Sequence, residues 1–414
     1  MKSSEQTNPL SIVMLVASLP PLPAGGAEMQ ALMLGKTLME SGHEVIFITP
    51  GKGKVKGVSI NEGMQVYRPH SFVNICFDWL AGIKKKNTRQ VLKIEYNDNE
   101  ETTNIIATKV GWPTILYYNI FFWQCLWLLW PKRKKIDILH AHTMEWSAIV
   151  AARLGKVLKK PVVIKDSTMN GFQSLGRYPN GKRLQQMVIA NACFVAMTKI
   201  IGENLMRAGI PAPKITYIPN GLMIQDVPAR KAKSDRNVLF IGNLYQQPAK
   251  GIDILLKAWK IVTEQFPGVM LLIIGDGDRK MYEDYARQSG IDGAVKLLGR
   301  RSDIRDYLLA ASVFVLPSRR EGMSNALMEA MLFELPCVAT DISGNNDLIQ
   351  NGVNGLIVPP ADVQALAEGI CYMLRVQQEA SAMGKKARET IIKEYDIRLI
   401  AQRYLRLYKT LIGS

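Results

Sequence analysis

The sequence predicts an α/β protein built from two doubly wound domains, and three observations lead there. Short apolar, β-branched runs alternate with segments of helical periodicity along the whole chain. At 414 residues the chain exceeds one ordinary core and suits two domains of about 200 residues each. Glycine-bearing or polar loops follow the strands at Gly25, His142, Gly242, Gly275, Gly299 and Glu321. In open parallel sheets ligands bind beyond the carboxyl ends of the strands, so these loops are the candidate site.

Composition narrows the class. With 48% apolar and 21% charged residues the chain is not disordered. Its five cysteines (Cys76, Cys125, Cys193, Cys337 and Cys371) are odd in number, widely spaced and free of C-x-x-C, which points to reduced core thiols and no thiolate metal site. The polar first ten residues lead straight into a strand, so no cleaved signal is expected. The net charge of +16 is uneven: residues 1–225 hold 27 Lys and Arg against 14 Asp and Glu, the remainder 25 against 22. Such an excess attracts nucleic acid or an anionic membrane face. The chain carries no nucleic-acid recognition motif, which leaves the membrane.

The first half opens with a strand over residues 12–17, the loop S-L-P-P-L-P-A-G-G, a helix from Ala27 to Ser41 closed by Gly42, and a strand over Val45–Thr49. Gly25-Gly26 marks either a close backbone approach or a turn, and it is not a G-x-G-x-x-G fingerprint. From Gly51 to Gln90 the pattern weakens and lysines cluster (Lys52, Lys54, Lys56; Lys84 to Lys86), reading as a surface excursion with short strands. Gly111 to Trp130 then has no charged residue in twenty positions, holds four of the seven tryptophans, and is followed by Pro131 and Lys132-Arg-Lys-Lys135. Its length allows a transmembrane helix. A single span would, however, put Gly25 and Glu321 on opposite sides of the membrane. Two readings remain: a partly buried helix whose aromatic residues dip into the headgroup region, making 112–135 an anionic-membrane contact, or a helix wholly buried in the core.

A strand over Ile136–His140 ends in His140-Ala141-His142, two of only four histidines, pointing the same way at i and i+2. That spacing also suits metal ligands, yet no acidic or cysteine partner is visible, so no metal is expected. A helix over Trp146–Leu158, strands at Pro161–Lys165 and Cys193–Ala196, a helix over Lys199–Ala208 and the run Ile215-Thr-Tyr-Ile-Pro-Asn-Gly221 complete this half. The charged, aperiodic stretch that follows sets the expected boundaries: a first domain over 1–222, a linker over 223–236, a second domain over 237–395, and a final helix over 396–412.

The second half is more regular. Strands are expected at Asn237–Ile241, Met270–Ile274, Val295–Leu298 and Val313–Leu316, with a helix opening at Lys250-Gly251 and running to Phe266. Helices follow over Asp362–Leu374 and Ala380–Lys393. Asp396 caps a last one, with Ile397, Ile400, Ala401, Tyr404, Leu405, Tyr408, Leu411 and Ile412 on one face.

The chemistry concentrates between Pro317 and Asp347, where strand, loop and helix carry Glu321 and Glu329. Ser324 is the expected N-cap, so the amides of Met323 to Asn325 face the loop as an anion site. Glu329 lies about one and a half turns inside the helix, and the two carboxylates can therefore meet two parts of an elongated ligand such as a nucleotide sugar. Lys250 offers positive charge to a diphosphate leaving group without a metal.

This stretch resembles the E-x7-E signature of the retaining glycosyltransferases of family 4. Gly25 to Glu28 (G-G-A-E), Asp137 to His142 (D-x-x-H-x-H) and Ile218 to Gly221 (I-P-N-G) are similar to further segments of that family. The resemblance implies a GT-B fold, two Rossmann-like domains facing across a cleft, with the C-terminal helix crossing back to the first. It further implies Glu321 on the donor sugar, Glu329 on the ribose, and the amides of Gly322, Met323 and Ser324 with Lys250 on the diphosphate. Gly25 and Gly26 would lie against donor phosphate and acceptor, Gly242, Asn243 and Gly275 would shape the donor loops, Gly299-Arg300 would hold the base, and His142 would reach the sugar. The catalytic set is thus Glu321, His142 and Lys250, with no cofactor, no metal, and UDP favoured over GDP.

Two positions depart from the family pattern: Asn243 stands where an arginine is common, and Asp166 where a histidine is common. Lys250, or a residue such as Arg300, is a candidate to make up for the missing arginine. The function expected is retaining transfer of a hexosyl unit from a nucleotide diphosphate sugar to a glycan or lipid-linked acceptor. No carboxylate is placed as an obvious nucleophile, so a front-face mechanism is implied. The setting expected is cell-surface polysaccharide biosynthesis at the inner face of a bacterial cytoplasmic membrane, with the enzyme peripheral and cytoplasmic. The alternatives are a nucleotide-sugar epimerase and a catalytically silent nucleotide-sugar-binding protein.

Overall fold

A computed structural model of the protein describes residues 8–22, 25–51, 55, 57–61, 63–69, 110–167, 171–224, 226–228, 236–245 and 249–413. Most of the lysine-rich excursion (Lys52, Lys54, Lys56 and Lys84 to Lys86) and much of the expected linker lie outside the described residues. The chain forms two compact units, one of Met1–Met197, Ile201–Ile218 and Ala401–Ser414, the other of Thr198–Ile200 and Pro219–Ile400.

The first unit is organised on an eight-stranded sheet: β1 (Ser11–Leu15), β2 (Glu44–Ile48), β3 (Gly57–Asn61), β4 (Met64–Arg68), β5 (Ile138–Ala141), β6 (Val162–Asp166), β7 (Cys193–Ala196) and β8 (Ile215–Tyr217). Their order is β3-β4-β2-β1-β5-β6-β7-β8. All neighbours run parallel except the edge pair β3 and β4. All five residues of β1 are buried, as a parallel strand covered on both faces requires. The chain moves outward from β1 to β2 and returns on the other side of β1 at β5. The switch point of this sheet is therefore the β1/β5 pair, which ends at Leu15 and Ala141.

Three helices of this unit matter for the site and its surroundings: α1 (Gly26–Glu40), α2 (Trp112–Leu129) and α3 (Trp146–Leu158). α2 is apolar on every side but buries only one of them. Phe121, Phe122, Cys125 and Leu129 are buried, Phe121 and Tyr118 meet the Trp146 ring of α3 at centroid distances of 5.2 and 5.1 Å, and Arg153 of α3 lies 4.0 Å over Phe122. Trp123, Trp127 and Trp130 remain 63%, 83% and 47% exposed. The wholly buried reading of this segment is corrected, because α3 covers a single face of it. Among the described residues no helix is long and apolar enough to cross a membrane.

The second unit holds six parallel strands: β9 (Asn237–Ile241), β10 (Met270–Ile274), β11 (Val295–Gly299), β12 (Val313–Leu316), β13 (Cys337–Thr340) and β14 (Leu356–Val358), in the order β11-β10-β9-β12-β13-β14. The strand order reverses between β9 and β12. Helix α4 (Ile252–Gln265) follows β9, α5 (Asn325–Leu332) follows β12, and α6 (Val363–Arg375) lies against α4. Both units are thus Rossmann-like.

The last helix, α7 (Ile397–Gly413), belongs to both units: through Ile400 to the second, and from Ala401 onward to the first. Ile397, Ile400, Ala401, Tyr404 and Tyr408 are buried, whereas Leu405 and Leu411 are half-buried and Ile412 is exposed. The apolar face expected to reach Ile412 is narrower than the sequence indicates. At about 100° per residue, Leu405 and Ile412 fall toward one edge of the stripe centred on Tyr404 and Tyr408.

Candidate functional site

The strongest constellation sits at the switch point of the second unit. β12 ends at Leu316, and the following loop carries Glu321; the loop after β9 carries Lys250, just before α4. Lys250 Nζ donates to both carboxylate oxygens of Glu321 at 2.8 Å, with each side chain only 14% exposed. Two charged groups this far from water are costly to bury unless they are paired. Gly251 makes the approach possible: its φ is +66°, and a Cβ there would overlap the Pro317 carbonyl.

A second pair fastens the same two loops. Arg319 donates to both carboxylate oxygens of Asp253, at 2.8 and 2.7 Å, and the Arg319 amide donates to Ala249 O at 2.8 Å. The Arg319 guanidinium holds the Asp253 carboxyl below the usual carboxylate range, against the upward push of its partial burial. Sequence reasoning missed both residues. The available signal was an acid in the first turn of α4 and a base two positions before Glu321, which is too common a pattern to single out.

At the start of α5, Ser324 caps the helix as expected, its Oγ accepting from Leu327 N at 3.3 Å. Met323 and Ser324 are buried, and Gly322 is packed so closely beneath Gly344 that a Cβ on Gly344 would overlap the Gly322 carbonyl. Asn220, from the I-P-N-G run, donates to Asn325 Oδ1 at 3.1 Å. Glu329 is mostly buried, with no partner for its carboxylate among the described residues, and burial pushes that carboxyl up to about 7. A buried, unanswered acceptor is what a ligand's hydroxyl groups would satisfy.

The glycine loops come together at the ends of β9, β10 and β11. Gly242 N donates to Ile274 O at 2.9 Å, and Gly275 N to Gly299 O at 3.0 Å. Asn243 is turned onto its own loop, where its Oδ1 accepts from Tyr245 N at 2.8 Å. Arg300 is 73% exposed and faces Asp276 at 3.7 Å. Arg300 thus stands on the loop after β11 with an acidic neighbour at the surface.

In the first unit, Gly25 precedes α1, and its amide donates to Glu28 Oε2 at 2.9 Å, with Gly26 the first residue of the helix. His140 and His142, at the end of β5, are buried, their ring centroids 5.1 Å apart. His140 Nδ1 and the Tyr408 hydroxyl are hydrogen-bonded at 2.6 Å; neither ring nitrogen of His142 has a hydrogen-bond partner among the described residues. Burial, with Lys165 nearby, lowers His140 to about 3 and pulls His142 well below the ordinary imidazole range, so both rings are neutral. Burial brings Lys165 itself down to about 7. Asp166, noted as a departure from the family pattern, is the last residue of β6 and is buried.

Comparison with known proteins agrees with this architecture. Residues 24–225 match the family model described as Glycosyltransferase Family 4, and residues 235–375 the model described as Glycosyl transferases group 1. The chain is 28% identical over 293 residues to the UDP-Gal:alpha-D-GlcNAc-diphosphoundecaprenol alpha-1,3-galactosyltransferase of Escherichia coli, covering 64% of this chain and 73% of that one. It is 26% identical over 303 residues to the phosphatidyl-myo-inositol mannosyltransferase of Mycobacterium leprae, covering 69% and 76%. Among solved structures, sucrose-phosphate synthase from Thermosynechococcus elongatus superposes with a TM-score of 0.73 at 19% identity, covering 97% of this chain and 99% of that one. Anabaena HepE in complex with UDP gives 0.69 at 19%, covering 97% and 100%. The structural likeness carries the GT-B fold, and the two family models together carry the family. The chain belongs to glycosyltransferase family 4, and it is a nucleotide-sugar-dependent glycosyltransferase.

Proposed function

We propose that the enzyme transfers a hexosyl unit from a UDP-sugar, with retention, to a hydroxyl of a lipid-linked acceptor at the inner face of the cytoplasmic membrane. The observation that carries this reading is the Lys250–Glu321 pair at the β9/β12 switch point, with the unanswered Glu329 carboxylate on the helix that follows. Glu321 takes the sugar hydroxyls, Glu329 the ribose diol, and Lys250 with the amides of Gly322, Met323 and Ser324 the diphosphate. The loops of Gly242, Asn243, Gly275, Gly299 and Arg300 shape the nucleotide end. The neutral His142 ring offers one donor and one acceptor to a sugar hydroxyl. The two relatives named above support the rest: one is named for UDP-Gal, and both are named for lipid acceptors.

In the reaction proposed, the bond from the anomeric carbon to the diphosphate oxygen breaks, and its electron pair leaves on the phosphate. Lys250 and the helix-end amides stabilise that charge as it develops. The acceptor hydroxyl adds on the same face and passes its proton to the departing phosphate, giving UDP and a glycoside of unchanged configuration. Both oxygens of Glu321 are engaged by Lys250, an arrangement that suits a hydrogen-bonding residue better than a nucleophile.

A thermal-shift screen against UDP, GDP, ADP and their sugar conjugates, without added metal, tests the donor site. We expect a rise in Tm with UDP and its conjugates that Glu329→Ala weakens. No shift with any nucleotide would overturn the donor site. A product formed from the donor alone would favour the epimerase, and binding without transfer or slow hydrolysis the silent protein.

A further inference from the structure

We propose that α2 is a monotopic membrane anchor whose tryptophan stripe lies in the headgroup region of an anionic phospholipid surface. The inference deepens the lipid-linked-acceptor reading and rests on it for its purpose. Its support is geometric. Leu116, Trp123, Trp127 and Trp130 follow one another at seven, four and three residues, one stripe of the helix, and all four are exposed. The opposite side is fixed to the protein by Phe121, Phe122, Cys125 and Leu129. A helix that is apolar all round is at rest only where every side meets an apolar medium, and α3 supplies that for one side alone.

The chemistry of the open side selects the occupant. Tryptophan has an apolar body and an N–H donor, the combination enriched at the water-to-lipid boundary. Immediately after the stripe come Lys132, Arg133, Lys134 and Lys135, and residues 111–135 hold no acidic residue. Arg133 lies 4.5 Å over the Trp130 ring and donates to Trp130 O at 2.8 Å, so one cation is held at the stripe's edge. Lys132 is held back on Tyr67, its Nζ 3.1 Å from that hydroxyl, while Lys134 and Lys135 are exposed. A second copy of the chain has no acidic residue on this segment to answer those cations; anionic headgroups do. With one face packed on α3, the helix lies on the membrane and does not cross it.

Co-sedimentation of the full chain with phosphatidylcholine vesicles, with and without phosphatidylglycerol, tests this. We expect sedimentation with the anionic vesicles, tryptophan quenching by brominated acyl chains, and partial release by high salt. Trp123→Ser with Trp127→Ser should weaken binding by about thirtyfold and remove most of the quenching. Lys134→Gln with Lys135→Gln should weaken it by about fivefold per lysine. A chain left in the supernatant by both vesicles overturns the anchor, as does a tryptophan variant that sediments like the wild type. A dimer in gel filtration that the tryptophan variant abolishes, without vesicle binding, would assign the face to a second copy instead. Nucleotide thermal shifts on the same samples keep the two readings apart: vesicle binding without a shift sinks the donor site alone, and a shift without vesicle binding sinks the anchor alone.

Discussion

Burial lifts the Glu329 carboxyl to about 7, so near neutrality the residue is divided between acid and carboxylate. A ribose diol donates its hydroxyl hydrogens and therefore selects the carboxylate. Affinity for a UDP-sugar, whose diphosphate diester does not titrate in this range, should rise as pH goes from 6 to 8 and level off above. Glu329→Gln should bind weakly and without that slope, as isothermal calorimetry at several pH values would show. The same shift bears on folding. The native carboxyl is raised above its unfolded value near 4.5, so the stability tied to the neutral form is full below that pH and is lost as pH rises through 7. The loss is on the order of 3 kcal/mol, which Glu329→Gln should restore at pH 8 in denaturant melts without ligand. Glu321, Glu329 and Lys250 were readable in the sequence only as candidates, from residue type and motif. Their different surroundings were not, since burial depends on what other elements bring.

Two loops 71 residues apart in sequence meet through Lys250 and Glu321, and a second time through Arg319 and Asp253. Removing one partner of the first pair leaves a charge stranded where little water reaches. Lys250→Met alone or Glu321→Gln alone should therefore cost about 3 kcal/mol in urea unfolding, while the double substitution should cost less than the sum of the two. An additive result would mean that the pair does not hold the loops together. The strands around these loops were readable because parallel, buried strands are uniformly apolar: Asn237–Ile241, Met270–Ile274, Val313–Leu316 and Cys193–Ala196 occupy the expected residues. The pairing of the loops was not readable, since no local pattern encodes which turn lies beside which. The single-sided burial of α2 was hidden for a related reason: its composition is apolar on every face, and only the position of α3 decides which face is covered.

For the whole molecule, the division into units follows contacts that the chain makes at long range. The carboxyl-terminal part of α7 belongs to the unit that the first residues begin, and the His140–Tyr408 hydrogen bond, closed between fully buried groups, is one of its fastenings. Tyr408→Phe removes that partner and leaves His140 with neither ring nitrogen satisfied among the described residues. It should lower the stability of the first unit by about 1–3 kcal/mol, read as an earlier thermal transition, while the nucleotide-induced shift persists. The sequence pattern of α7 gave the stripe but not its edges, because periodicity marks a direction around the helix and not the width that a neighbour covers. A consequence follows for how the molecule is made. All residues of the second unit have been synthesised by Ile400, whereas His140 waits for Tyr408, eight residues later. On the ribosome, the unit that is begun first is the one completed last.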